Sequence, residues 1–165
     1  MAISSVGIIG YGNFGAFAHV LLKRFAPKVV VRVHAPEKLP DNKTFFSLED
    51  TADSDVVILA VPISAFESVL SSVLPQLGKE TIIVDVCTVK MHPVETLKRL
   101  ATGRAYISTH PMFGPESYEK RGEDVTGLRI VIAEHTLPLA DYTVLVELLQ
   151  KIGFSVVEMS ADTHD

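Results

Sequence analysis

The 165-residue chain has no tryptophan and a single cysteine, Cys87. One thiol excludes an intrachain disulfide and suits a reducing compartment. No apolar run approaches the roughly 20 residues of a membrane-spanning helix, so no membrane partner is expected. Positive charge is in deficit. With 15 Lys and Arg against 20 Asp and Glu, and no basic stripe, the net charge of −5 argues against nucleic acid as a partner. Internal repeats and low-complexity tracts are absent. No Cys/His group has zinc spacing, so no metal is expected, and no Ser or Cys sits in a nucleophile elbow. Only Met1-Ala2 precede the first strand pattern, which leaves no room for a signal or transit peptide. What remains, 47% hydrophobic and 21% charged residues, fits one globular domain that buries about 70% of its unfolded surface.

The most informative stretch is Ile3–Gly15. Val6, Ile8 and Ile9 form a short apolar run suited to a strand buried on both faces. It stops at Gly10-Tyr11-Gly12-Asn13-Phe14-Gly15, a G-x-G-x-x-G. A helical pattern follows, with Phe14, Phe17, Ala18, Leu21, Leu22 and Phe25 on one face. Strand, glycine turn and helix together are the context in which this motif binds a dinucleotide. Gly10 permits the tight turn, Gly12 lets backbone approach a pyrophosphate, and Gly15 lets helix and strand pack closely. The helix N-terminus offers N–H groups and a positive dipole end to the phosphates. The competing reading is a glycine-rich turn that binds nothing.

Lys28–Val33 reads as the second strand. An Asp or Glu about 20 residues beyond the glycines would accept hydrogen bonds from the ribose of NAD. Here the chain has Val33-His34-Ala35-Pro36-Glu37-Lys38 instead. His34 and Lys38 are placed to meet a 2′-phosphate, which leans toward NADP, with Glu37 opposing; the alternative is a solvated turn. Ser47-Leu48-Glu49-Asp50 reads as a short helical start within a polar segment. Asp55–Val61 is a buried strand whose end, Ala60-Val61-Pro62, puts Val61 and Pro62 at the carboxyl edge where dinucleotides lie. Ile63–Leu74 is an amphipathic helix and Thr81–Val86 a further strand. It delivers Asp85-Val86-Cys87-Thr88-Val89-Lys90 to the same edge, with Cys87–His92 read as a loop ahead of Pro93. Thr88 and Lys90 are candidates to face a ligand, the alternative being a turn support and a solvated lysine. Ala105–Thr109 is a short strand, and His110–Gly127 reads as a long irregular, functional loop. Leu128–Ala133, Pro138–Lys151 and Phe154–Met159 read as strand, helix and strand, and Ser160 starts another helix. Strands alternating with helices predict an α/β fold, a Rossmann-type doubly wound, mostly parallel sheet with helices on both faces.

Of six histidines, His110 stands at a strand's carboxyl end before the glycine- and proline-rich segment. A neutral imidazole is the usual proton acceptor near pH 7. A structural role is the competing reading. Cys87 reads as a small buried residue rather than a nucleophile.

Four motifs, in order and spacing, resemble the prephenate/arogenate dehydrogenase family, most of all its plant-type arogenate dehydrogenase branch. They are Gly10-Tyr11-Gly12-Asn13-Phe14-Gly15, Asp85-Val86-Cys87-Thr88-Val89-Lys90, Thr109-His110-Pro111-Met112-Phe113-Gly114-Pro115-Glu116-Ser117 and Val157-Glu158-Met159-Ser160…His164-Asp165. The resemblance implies oxidative decarboxylation of arogenate or prephenate, in tyrosine biosynthesis, with NADP as cofactor and NAD as the alternative. It implies that His110 takes the substrate's hydroxyl proton and that Thr88, where the family commonly has serine, orients the histidine or the hydroxyl. It implies residues 1–160 as the dinucleotide-binding domain and 161–165 as the start of a helical domain, otherwise absent, that supplies a carboxylate-binding arginine and a homodimer. The implied location is cytoplasmic, or a plastid if a transit peptide has been removed. Two other readings stand beside it. A hydroxy-acid type of dehydrogenase would need a lysine on the absent helices and leaves the His110 motif unexplained. A non-catalytic NAD(P)-sensing module would bind cofactor regardless of His110.

Overall fold

The structure, a computed structural model, describes residues 2–165. Among the described residues, seven strands form one sheet: β1 (Ser5–Ile9), β2 (Val30–His34), β3 (Val56–Leu59), β4 (Ile82–Asp85), β5 (Tyr106–Pro111), β6 (Arg129–His135) and β7 (Ser155–Glu158). Their order is β2-β1-β3-β4-β5-β6-β7. β1 to β5 are parallel, β6 runs antiparallel to β5, and β7 is parallel to β6. The helices are α1 (Asn13–Phe25), α2 (Leu48–Ala52), α3 (Ile63–Val73), α4 (Met91–Leu100), α5 (Pro115–Lys120), α6 (Leu139–Ile152) and α7 (Ala161–His164). This is the expected doubly wound architecture. The chain reverses its direction of travel across the sheet between β1 and β3, and in such sheets the crevice beyond those strand ends receives ligands. Among the described residues no helix is long and apolar enough to cross a membrane.

The two-residue alternation of strands sorts side chains into layers. Ile9, Val57, Leu59, Ile83 and Tyr106 point to one face, where Phe66, Leu70 and Val73 of α3 and Leu97 of α4 cover them. Val6, Val56, Ile82 and Ile107 point to the other, under Leu22 of α1 and Tyr142 of α6. Asp85 and Ser108 are register partners on β4 and β5. Two residues apart along their strands, Asp85 follows Ile83 and His110 follows Ser108, so all three polar groups belong to the α4 face. The fold thus brings polar chemistry out of an apolar layer at one edge.

Three sequence expectations need correction. β2 starts at Val30 rather than Lys28, because a turn closed by the Val29 N–H to the Ala26 carbonyl (3.0 Å) occupies the preceding residues. α4 begins at Met91, so His92 is helical and Pro93 lies within the first turn. The segment 110–127 is not one irregular loop. β5 continues through Pro111, and α5 follows with Pro115 at its first position and Ser117 Oγ accepting from the Gly114 N–H at 2.9 Å. Proline and glycine there open a helix instead of breaking one. Tyr118 of α5 is buried and its ring centre lies 5.3 Å from that of Phe17 on α1.

α2 lies close on β1 at Gly7, where a Cβ would sit 2.2 Å from the Thr51 carbonyl oxygen. Gly7→Ala is therefore expected to lower the unfolding free energy by about 1–3 kcal/mol, the usual cost of overpacking. Urea unfolding measures it, and an unchanged midpoint would mean that α2 shifts freely away from the sheet.

Candidate active site

The glycines of the β1–α1 turn divide their work. Gly10 has φ +104°, and a Cβ on it would meet the Ala60 carbonyl oxygen at 2.2 Å. A Cβ on Gly15 would meet the Gly10 carbonyl oxygen at 2.1 Å. Both are needed for the turn to close on itself. Gly12 is different: a Cβ there would have nothing within 4 Å, so the space above it is open to an incoming group. α1 starts at the next residue with no acidic side chain in its first turn, so its positive end is not already neutralised. These residues fit a dinucleotide's pyrophosphate. Asn13 is exposed beside Gly12. Tyr11 packs edge-on against Phe45, with ring centres 4.9 Å apart, and Phe14 packs against Phe17. Those two aromatics wall the turn. Val61 is half-buried, and Pro62 is exposed where α3 begins.

At the end of β2, His34 Nδ1 lies 3.1 Å from the Phe46 carbonyl oxygen. The carbonyl can only accept, so Nδ1 carries the proton and Nε2 is the acceptor of a neutral ring. Lys38 extends its ammonium to within 5.8 Å of the Phe45 ring centre. The strand itself ends on His34, with no carboxylate, and Glu37 is exposed in the turn beyond.

Lys90 neither faces a ligand nor is solvated, against both readings of the sequence. It is fully buried and forms an ion pair with Asp85, also fully buried. The ammonium also donates to the Thr109 carbonyl at 2.6 Å and to Ser108 Oγ at 3.2 Å. Ser108 Oγ donates to Asp85 Oδ2 at 2.5 Å, and the Cys87 N–H donates to Asp85 Oδ1 at 2.8 Å. Desolvating a carboxylate forces it to recruit donors, and an aspartate closing an apolar strand was the available signal for this cluster. Cys87 is buried beside it, and burial, followed by the Asp85 charge, pushes its thiol up and away from thiolate chemistry.

His110 is half-buried near the end of β5. Its Nδ1 lies 2.8 Å from His164 Nε2 on α7, and His164 Nδ1 lies 2.6 Å from Asp165 Oδ1. Asp165 also accepts from the Lys90 N–H (2.8 Å) and the Met91 N–H (2.8 Å), so it caps α4. Nothing in spacing or periodicity revealed this link across 54 residues. Burial, then the neighbouring His164 and Lys90, hold the His110 imidazole below its usual proton affinity, with Asp85 and Asp165 opposing. The shift favours the neutral imidazole, the form that can accept a proton. Thr88 lies exposed in the segment between β4 and α4, beyond the strand that adjoins β5.

Residues 34–126 match the family model described as prephenate dehydrogenase, nucleotide-binding domain. The chain belongs to this family. The matched span contains both Thr88 and His110. Over 97% of its length the chain is 26% identical to cyclohexadienyl dehydrogenase of Zymomonas mobilis, spanning 59% of that protein. It is 32% identical to the chloroplastic arogenate dehydrogenase 1 of Arabidopsis thaliana, again over 97% of the chain but spanning only 27% of that protein. The fold is similar to the prephenate dehydrogenase of A. aeolicus solved with hydroxyphenyl propionate and NAD+, at TM-score 0.77 and 17% identity, covering 99% of this chain and 62% of that one. It is likewise similar to Synechocystis arogenate dehydrogenase, at TM-score 0.76 and 19% identity, covering 97% of this chain and 61% of that one.

Separating the buried pair should expose its cost. Lys90→Met is expected to destabilise the fold by about 3–5 kcal/mol, because Asp85 is left as an unpaired buried charge. The double variant Asp85→Asn/Lys90→Met should lose less. Denaturant unfolding of both decides the point: a double variant at least as unstable as the single would show that the two charges do not compensate each other.

Proposed function

We propose that this chain carries the nucleotide-binding and proton-accepting parts of an NADP-dependent dehydrogenase that oxidatively decarboxylates arogenate or prephenate. The observation that carries the reading is His110, half-buried near the end of β5 in a mostly parallel sheet whose β1 end forms a glycine turn open at Gly12. The names of relatives, cyclohexadienyl and arogenate dehydrogenases, support the substrate class.

When bound, the nicotinamide cofactor supplies the hydride acceptor. The chain's own residues do the rest. Backbone at Gly10, Gly12 and the start of α1 binds the pyrophosphate, with Tyr11, Asn13, Phe14 and Gly15 shaping the turn. Val61 and Pro62 border the cofactor along the β3 edge. Lys38 through its ammonium, and His34 through an Nε2–H when its ring carries both protons and Nδ1–H stays on the Phe46 carbonyl, donate to the 2′-phosphate. Thr88 orients the substrate hydroxyl or the histidine. His110 takes the hydroxyl proton on Nε2 as hydride leaves the carbon that bears it, so the developing carbonyl need not carry positive charge. The ring carboxylate departs as carbon dioxide, its bonding electrons completing the aromatic ring and passing to the carbonyl oxygen, which as a phenolate takes the proton back from His110. Residues 161–165 open a helical domain that binds the substrate's carboxylate and pairs two copies into a homodimer.

The cofactor assignment predicts that NADP binds at least tenfold tighter than NAD, about 1.4 kcal/mol. Calorimetric titration of the chain measures this, and a preference for NAD would remove His34 and Lys38 from the site. His110→Asn should reduce kcat/KM with arogenate or prephenate by about 10²–10⁴-fold, the usual range for a general base, with NADP affinity unchanged. The pH profile has a defined sign. Because the folded-state proton affinity of His110 lies below the ordinary 6.5, the acceptor is available above that pH, and kcat/KM falls as pH drops below it. An acid limb centred above 6.5 would exclude His110 as the base.

A further inference from the structure

We propose that Asp165 and His164 are positioning residues that set the tautomer of His110, so that its Nε2 is the proton-accepting atom. The inference rests on reading His110 as the base, and extends it to two residues outside the strands that build the site. Each bond in the chain has a direction forced by chemistry. An ionised carboxylate only accepts, so across the 2.6 Å contact His164 Nδ1 must donate to Asp165. A neutral His164 then has Nε2 as its acceptor. His110 Nδ1, 2.8 Å away, must donate to it. With its Nδ1 protonated, a neutral His110 keeps its lone pair on Nε2. The two rings meet at 72° with centres 5.0 Å apart, an edge approach that suits a ring-to-ring hydrogen bond and not stacking.

The relay is anchored at its far end. Asp165 accepts from the Lys90 N–H through both oxygens, at 2.8 and 3.0 Å, and from the Met91 N–H at 2.8 Å. These donors, the Met91 N–H foremost, hold its carboxyl down to about 2. It stays ionised throughout the range in which His110 accepts a proton. The charged and titratable groups acting on His110 are Asp85 from β4, Lys90 from the segment before α4, and His164 and Asp165 from α7 and its end. Asp85 and Lys90 face each other as an ion pair, which leaves His164 as the group bonded to the ring, with Asp165 acting through it. The same carboxylate that orders His164 also fixes the backbone at Lys90 and Met91. Thr88 sits two residues earlier, so both candidate catalytic side chains are referenced to one anchor.

Histidine-labelled chain examined by long-range ¹H–¹⁵N NMR at pH 7.5 tests the proposal without substrate or cofactor, with single histidine replacements giving the assignments. His110 and His164 should both be protonated at Nδ1 and bare at Nε2. In His164→Leu the His110 Nδ1–H form should be lost in favour of a tautomer mixture. In His164→Gln the side-chain carbonyl can accept, and the Nδ1–H form should return. Backbone amide spectra confirm that each variant is folded. A wild-type His110 protonated at Nε2 would overturn the relay, and so would a His164→Leu variant with an unaltered His110 tautomer. The wild-type measurement alone decides the first point, even if a variant fails to fold. Because the readout is the resting tautomer, its outcome is separate from whether the chain turns over arogenate or prephenate.

Discussion

The ion pair between Asp85 and Lys90 is the constraint on which the edge of this sheet depends. Neither group reaches water, so each must be satisfied by protein, and satisfying them determines the local path of the chain. Asp85 recruits Ser108 from the adjacent strand and the backbone of Cys87 from its own exit. Lys90 reaches back under the segment it terminates to hold the carbonyl of Thr109, the residue before His110. Its backbone N–H meanwhile binds Asp165. A single lysine therefore joins β4, β5, the start of α4 and the residue that follows α7. Polar groups of this kind are costly to bury, and in return they specify one arrangement where apolar side chains alone would tolerate several.

The glycine turn solves the opposite problem, holding space open. Gly10 and Gly15 bring backbone so close to Ala60 and to each other that any side chain would collide. That tight closure leaves Gly12 facing outward at the start of α1 with no side chain above it. The apolar layers behind the turn, Ile8 and Ala18 packed with Val31 and Val33, keep its position rigid.

Most of the fold was legible because it rests on local periodicity. The apolar runs of β1, β3 and β4 and the helical stripes of α1 and α3 each carry their own signal, and their alternation dictates a doubly wound sheet. α5 lies inside the glycine- and proline-rich stretch that reads as one irregular loop, although proline at a first helical position starts a helix. At the site, Gly10, Gly12 and Gly15 could be assigned separate jobs from the motif, and His110 from its place at a strand end. Lys90 was misread because its burial depends on Asp85 and Ser108, and pairing between β4 and β5 is not written in either strand alone. His164 and Asp165 stand in the fourth motif, but the motif carries no sign of their partners, which lie 54 to 75 residues away.

The β1–β2 ladder does not stop where the strands do. The Gly10 N–H donates to the His34 carbonyl at 2.9 Å, and β2 is itself tied to the following segment through Val33 with Thr44 and Phe46. The glycine turn and the exit of β2 are thus one hydrogen-bonded unit. Only main-chain atoms make these bonds, and every residue type except proline has the full set. Side chains at His34 and Lys38 can accordingly be exchanged with the main-chain bonds of the glycine turn left in place. An insertion or deletion at the same point would slide the carbonyl out of register and carry the turn with it. Divergence at this point of the fold should therefore be written in substitutions, with the length of the β2 exit held constant.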